Sequence, residues 1–158
     1  METSTRRDIS SAGHADPAIN AAGARGLAGN DHLLMSVLDH LPGMVYRWRY
    51  ETTGQWTLEF ISAGCGPLTG QPPDAWLAGS GAAFMAWIHP EDYQSVIAQM
   101  TTAFHNRQSY CCVYRIVTAD QTQRWVRDQG TGVFSPAGAL LFCEGFVTDI
   151  TAEKQREY

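Results

Sequence analysis

The chain has 158 residues, of which 44% are hydrophobic and 17% are charged, and its formal net charge is −5 at pH 7. This length and composition predict one globular domain with a sizeable core, and they exclude a disordered or fibrous protein. The acidic balance argues against a nucleic-acid partner, and no apolar run approaches the ~20 residues of a membrane span. We therefore expect neither a nucleic-acid nor a membrane partner.

The cysteines show no metal-binding or redox spacing. Cys65, Cys111, Cys112 and Cys143 form no CxxC pair and no Cys/His zinc pattern. Adjacent residues of a strand point to opposite faces, so Cys111 and Cys112 cannot both bind one metal ion. No apolar stretch follows the basic N-terminus, so no secretion signal is predicted. We expect reduced thiols, no metal site and a bacterial cytoplasmic location, with a redox switch as the alternative.

The N-terminal third divides into a tail and a helix. Residues 1–29 are rich in Ala, Gly, Ser and Asn, which predicts a flexible tail. Residues 30–42 contain an N-cap pair, apolar residues at helical spacing and a terminal proline, which predicts a flanking helix. Its single apolar stripe must lie against the domain's own sheet or a second subunit. In a homodimer the stripe predicts an interface formed by Leu34, Val37, Leu38 and Leu41.

Alternating apolar residues predict a β-hairpin after this helix. Met44, Tyr46 and Trp48 share one face of the first strand, and Trp56, Leu58 and Phe60 share one face of the second. Between residues 62 and 81, glycines and prolines interrupt short apolar clusters, so several helices of one or two turns are predicted.

A longer helix is predicted from His89-Pro90 to about residue 107. Proline suits the first helical position, and the acids Glu91 and Asp92 complement the helix dipole. Three strands then follow over residues 110–117, 123–134 and 140–148, and the chain closes with a polar helix. Strands grouped at both ends of a helical block predict an α+β domain with an antiparallel sheet.

Several short motifs occur in order along the chain: Leu41-Pro42-Gly43-Met44-Val45-Tyr46-Arg47, Phe60-Ile61-Ser62 through Leu68-Thr69-Gly70, Ile88-His89-Pro90-Glu91-Asp92, Tyr114-Arg115-Ile116, Arg124-Trp125-Val126, and Asp149-Ile150-Thr151-Ala152-Glu153-Lys154. Together they resemble a PAS domain with a C-terminal PAC segment, from about residue 33 to residue 156. The resemblance implies a five-stranded antiparallel sheet in the order 2-1-5-4-3, with short helices and one longer helix on one face.

The resemblance also implies a regulatory role. PAS domains lie upstream of histidine kinases, diguanylate cyclases and phosphodiesterases, often as dimers. Residues 43–151 would form the domain, and residues 152–158 would begin a signalling helix that leads to a covalently linked effector. We expect a sensory input module and not an enzyme, because no catalytic constellation occurs at workable spacing.

The family's pocket lies between the inner sheet face and the short helices. Mapped onto this chain, it would be lined by Tyr46, Trp48, Phe60, Trp76, Phe84, Trp87, Met100, Phe104, Tyr110, Cys112 and Tyr114. Such an aromatic lining suits a flat or apolar small molecule. The alternative is that these side chains only fill the core.

The sequence leaves the identity of any cofactor open. Haem would need a histidine of the long helix, but the helical spacing turns His105 toward solvent, and His89 is predicted to cap the helix. Light-driven flavin chemistry needs a cysteine motif, and the surroundings of Cys65 lack its other elements. Non-covalent flavin has stacking aromatics but no visible phosphate cradle.

Asp149 and Thr151 are the predicted relay residues. The resemblance implies that Asp149 pairs with a basic side chain of a neighbouring strand, with Arg115 and Arg127 as candidates, and Thr151 can cap the helix that follows. The alternative is that both only end a strand and begin a helix.

The competing function is a ligand-free dimerisation or protein-docking module. In that case the flanking helix and the outer sheet face would form the interface, the latter through Val45, Ile61, Val113, Val117 and Val147.

Overall fold

The structure is a computed structural model that describes residues 32–79 and 85–157. Its five strands are β1 (Met44–Tyr50), β2 (Trp56–Ile61), β3 (Tyr110–Val117), β4 (Gln123–Phe134) and β5 (Leu140–Asp149). They form one antiparallel sheet in the order β2-β1-β5-β4-β3. The predicted fold class and strand order are confirmed. β5 lies at the centre because the closing meander returns the chain to β1.

The helices lie close to the positions predicted from the sequence. They are α1 (32–40), α2 (Cys65–Thr69), α3 (Pro73–Ala78), α4 (Pro90–His105) and α5 (Thr151–Arg156). α4 begins with Pro90, and His89 Nδ1 accepts a hydrogen bond from the Glu91 backbone N–H at 3.1 Å, so the predicted cap is confirmed. No helix of the described ranges is long and apolar enough to cross a membrane.

The inner face of the sheet carries the core. Met44, Tyr46 and Trp48 of β1 are buried, and Val147 and Cys143 of β5 lie opposite the first and last of them in register. The face is therefore continuous across the two central strands. The prediction that Val147 belongs to the outer face is wrong, because its register with Met44 turns it inward.

A β-bulge in the first hairpin reverses the side-chain alternation of β2. Arg47 pairs with Phe60, but Trp48 pairs with Leu58, so Glu59 is the extra residue. Phe60 therefore shares the outer face with Arg47, and Ile61 turns into the core, where it is 5% exposed. The prediction of Phe60 as a pocket residue and of Ile61 as an outer-face residue is wrong for this reason.

The flanking helix α1 exposes its apolar stripe. Leu34 is 56% exposed, Val37 is 49% exposed and Leu41, just beyond the helix, is 38% exposed, whereas Leu38 is half-buried. The dimer interface stays a prediction. The predicted tail at residues 1–29 and the N-cap pair lie outside the described residues.

Candidate functional site

A cavity of about 600 Å³ lies between the inner face of the sheet and α4. This volume lies within the range of sites that take drug-sized ligands. Its wall comes from all five strands and from one side of α4, and it includes Tyr46, Trp48, Trp56, Ile97, Met100, Phe104, Tyr110, Tyr114, Asp128, Phe134, Leu140 and Cys143. The wall is mostly carbon, with a small group of polar atoms at one end.

Six predicted pocket residues line this cavity: Tyr46, Trp48, Met100, Phe104, Tyr110 and Tyr114. The strand members arrive there because alternate residues of β1 and β3 face inward. Met100 and Phe104 arrive there because they are one turn apart on α4. That they bind a ligand stays a prediction.

Other predicted pocket residues lie elsewhere. Trp76 and Trp87 pack on each other with ring centroids 5.1 Å apart, and Trp76 Nε1 donates to Thr69 Oγ1 at 3.1 Å, so they fill the core beside α2 and α3. Cys112 faces inward, but its short side chain is fully buried opposite Asp128 in the β3–β4 register. Phe84 lies outside the described residues.

The polar end of the cavity is a connected hydrogen-bond network around Asp128. Tyr46 Oη donates to Asp128 Oδ1 at 2.6 Å, and Tyr114 Oη donates to Asp128 Oδ2 at 2.9 Å. Tyr110 Oη shares a short hydrogen bond with Tyr46 Oη and another with Cys143 Sγ at 3.0 Å. We call these five residues the Asp128 network. Each carboxylate oxygen keeps further acceptor capacity, which a ligand can use.

The network places a titratable group inside the core. Asp128 is 2% exposed, and burial raises its pKa to about 6, although the hydroxyls of Tyr46 and Tyr114 oppose that rise. Burial also raises the pKa of the Tyr46 and Tyr114 phenols, and that of the Cys143 thiol to about 12. Asp128 is therefore the member whose charge changes near neutral pH.

Two glycines make room for the tyrosine hydroxyls. Gly130 of β4 and Gly145 of β5 are partners in register on the inner face. A Cβ at Gly130 would collide with Tyr110 Oη, and a Cβ at Gly145 would collide with Tyr46 Oη. The two tyrosines therefore lie directly on the sheet, which brings their hydroxyls together beside Asp128.

Sequence reasoning missed Asp128 and Cys143 as site residues. The signal was available, because Asp128 is in phase with the buried Val126 on a strand whose intervening residues are polar. A carboxylate on the inward phase of a half-buried strand is expensive unless it is hydrogen-bonded. That cost indicates partners on other strands of the sheet, and the inward tyrosines of β1 and β3 supply them.

The relay residues lie where β5 passes into α5. Asp149 Oδ1 accepts from the Thr151 backbone N–H at 2.8 Å, so Asp149 satisfies a free donor of the helix start. The basic group nearest its carboxylate is Arg124, with N and O atoms 3.8 Å apart. The predicted pairing with Arg115 or Arg127 is wrong, because Arg115 pairs with Asp92 and Arg127 pairs with Glu153.

Thr151 attaches the helix to β4 instead of capping it. Its Oγ1 accepts from the Trp125 backbone N–H at 3.0 Å, and the Ile150 N–H donates to the Trp125 carbonyl at 2.8 Å. Lys154 Nζ lies 5.1 Å from the centre of the Trp125 ring, and Arg115 lies 5.5 Å from it on the side of β3. Trp125 is thus the point at which α5 is fixed to the sheet.

A comparison with protein families decides which fold family this is. The sequence model of the PAS fold matches residues 58–147, more than half of the chain. The chain belongs to the PAS family. The match includes three of the four strands that carry the Asp128 network. Among curated proteins, no sequence matches the chain.

Solved structures agree with this assignment. The PAS/PAC sensor domain of a diguanylate cyclase from Marinobacter aquaeolei is 23% identical, with a TM-score of 0.62 over 71% of this chain and 98% of that one. A sensory box histidine kinase/response regulator from Burkholderia thailandensis E264 is 25% identical, with a TM-score of 0.59 over 80% and 88%. PAS domains of this kind are sensory modules of signalling proteins.

Cys65 and His105, the residues considered for flavin and haem chemistry, lie in different places relative to the cavity. A light-oxygen-voltage domain studied with a flavin analogue is 12% identical, with a TM-score of 0.61 over 80% of this chain and 91% of that one, which shows the shared fold. Here Cys65 is buried in α2, and the thiol that lines the cavity is Cys143. His105 is exposed at the cavity rim, as its helical phase predicts. Among the described residues, no group of three or more His, Cys, Asp or Glu is placed to hold a metal ion.

Proposed function

We propose that this PAS domain is the sensory input module of a bacterial cytoplasmic signal-transduction protein. A small molecule in the cavity changes the Asp128 network, and β4 passes that change to α5 and to a linked effector domain. Two PAS domains of similar structure come from a diguanylate cyclase and from a sensory box histidine kinase/response regulator.

One observation supports the proposal: both ends of the proposed signalling path, from the cavity to α5, lie on β4. Asp128 lies on its inner face at the cavity, and Trp125 lies three residues earlier on its outer face, where it holds α5. A hydrogen-bonded strand transmits a shift along its length because its neighbours fix its register. A small displacement of Asp128 therefore changes the Trp125–Thr151 hydrogen bond, which positions the helix.

Hydrogen exchange measures this coupling directly. Tyr114→Phe removes the hydroxyl that donates to Asp128 Oδ2, and we expect faster amide exchange in α5, which lies outside the cavity. Tyr93→Phe on the exposed side of α4 is the matched control and should leave α5 unchanged. Unchanged α5 exchange in Tyr114→Phe, with the fold intact by circular dichroism, would refute the relay.

Native mass spectrometry tests whether a ligand is present. We expect the full chain to retain a small molecule whose loss on denaturation alters α5 exchange. A protein that carries no extra mass, and whose α5 exchange responds to no candidate compound, would contradict the sensory proposal.

A second candidate function is self-association through α1. Leu33 is 64% exposed, Leu34 is 56% exposed and Val37, one turn later, is 49% exposed, and apolar exposure on two neighbouring turns of one helix is typical of an interface. Leu34→Glu with Val37→Glu should convert a dimer to a monomer in light scattering. His32→Ala on the same helix is the control. A monomeric wild-type chain would refute this candidate.

A further inference from the structure

The two ends of the cavity differ in charge. The inner end is the Asp128 network, which offers carboxyl and hydroxyl oxygens. The rim at the other end carries His105, the last residue of α4, and Arg107, two residues later. Between them the wall is apolar, with Ile97, Met100, Phe104, Phe134 and Leu140. A ligand that fills the cavity meets an acceptor-rich end and a basic end.

Arg107 follows the end of α4 in a left-handed backbone conformation. Its φ is 53°, in the left-handed region that glycine favours after a helix, and a non-glycine residue there costs about 1 kcal/mol. Its guanidinium lies 5.2 Å from the centre of the Phe134 ring. Gly138 in the β4–β5 turn leaves space for it, because a Cβ there would collide with the guanidinium.

The guanidinium of Arg107 has no carboxylate partner within residues 32–79 and 85–157. Each of the other arginines between positions 47 and 127 has an ion pair in the structure: Arg47, Arg49, Arg115, Arg124 and Arg127. Arg107 instead stacks on a ring of the cavity wall. An arginine that stacks beside an apolar cavity and has no carboxylate partner there is placed to receive a carboxylate of a bound molecule.

The spacing of the two ends sets the length of that molecule. Asp128 and Phe134 are six residues apart on β4, which corresponds to ~20 Å between their Cα atoms. Both end groups reach into this gap with their side chains. Phe104, Phe134 and Leu140 surround Gly132 between the two ends. A ligand that contacts both Asp128 and Arg107 is therefore expected to be elongated.

We propose that the cavity binds an elongated amphipathic carboxylic acid of medium chain length that carries a hydroxyl at its far end. The carboxylate binds Arg107, the alkyl body lies along α4, and the hydroxyl hydrogen-bonds with Asp128. A hydroxyl suits this position because it donates to an ionised carboxylate and accepts from a protonated one. The inference rests on the sensory function proposed above and names the ligand class of that site.

Calorimetry with three probes tests both contacts on the full chain. The probes are dodecanoic acid, ω-hydroxydodecanoic acid and dodecyl alcohol. We expect the hydroxy acid to bind most tightly. Arg107→Gln should weaken both acids ~10-fold or more without affecting the alcohol, since a hydrogen bond to a charged group is lost. Asp128→Asn should remove the advantage of the hydroxy acid over dodecanoic acid.

The controls separate local from general effects. Arg49→Gln removes an exposed arginine of the outer face and should leave all three affinities unchanged. Thermal unfolding checks that each variant folds. Equal binding of the acids to Arg107→Gln and wild type would overturn the rim contact, and so would binding of none of the three probes to wild type. No preference for the hydroxy acid in wild type would overturn the inner contact.

Failure of the ligand class is distinguishable from failure of the sensory function. If another compound is found by native mass spectrometry and alters α5 exchange, the sensor stands and the amphipathic acid is wrong. If the hydroxy acid binds as expected but α5 exchange does not respond, the ligand class stands and the relay is wrong.

Discussion

The buried carboxyl of Asp128 predicts a specific pH dependence of stability. Its pKa is raised from an ordinary value of ~4 to about 6 by burial in the folded chain. Between these values the folded state keeps a proton that the unfolded chain has lost. Stability should therefore fall as the pH rises from ~4 to ~6, and should then stay level with respect to this group.

The expected size follows from the same values. A shift of about two pH units corresponds to ~3 kcal/mol, and Asp128 is fully buried, so solvent screening does not reduce it much. Asp128→Asn removes the titration. The difference in unfolding free energy between Asp128→Asn and wild type should thus move by ~3 kcal/mol in favour of the variant as the pH rises through this range.

Urea unfolding followed by tryptophan fluorescence measures this difference between pH ~4.5 and ~7.5, a range that contains ~2 kcal/mol of the expected change. The lower limit avoids Asp92, whose pKa is lowered mainly by its hydrogen bond with Arg115, so that its stabilising contribution is lost only as the pH falls further. Asp74→Asn, an exposed acid of α3, is the matched control. A constant difference between Asp128→Asn and wild type at every pH would refute the reasoning.

Two further predictions concern packing and the helix joint. Gly145→Ala should destabilise the fold by ~2 kcal/mol in the same urea assay, because its Cβ collides with the Tyr46 hydroxyl, whereas Gly66→Ala in α2 meets open space and should be neutral or stabilising. Thr151→Val should cost ~1 kcal/mol by leaving the Trp125 N–H without its acceptor, and it should increase amide exchange in α5 while exchange in the sheet stays unchanged. An unchanged unfolding free energy in Gly145→Ala would contradict the close contact with Tyr46. Unchanged amide exchange of α5 in Thr151→Val would contradict the role of the hydrogen bond with Trp125.

The sequence alone determined the elements and their order. Period-two alternation placed β1, β2 and β3, and the His89-Pro90 start placed α4, because these signals are local and follow directly from backbone geometry. The family motifs then predicted the strand order. The inward tyrosines Tyr46, Tyr110 and Tyr114 were predicted for the same reason, since the phase of a regular strand fixes the face of each side chain.

Only the tertiary structure decided the contents of the site. The extra residue at Glu59 turned Phe60 outward, and a bulge of this kind is a property of two paired strands that no single run of residues shows. The role of Asp128 in the site depends on its hydrogen bonds with Tyr46 and Tyr114, which are 82 and 14 residues away along the chain. Charge pairing at the joint was equally nonlocal, because the register of β4 against β5 selected Arg124 for Asp149. Local sequence determines which face a side chain occupies, and the register between strands determines which partners it meets there.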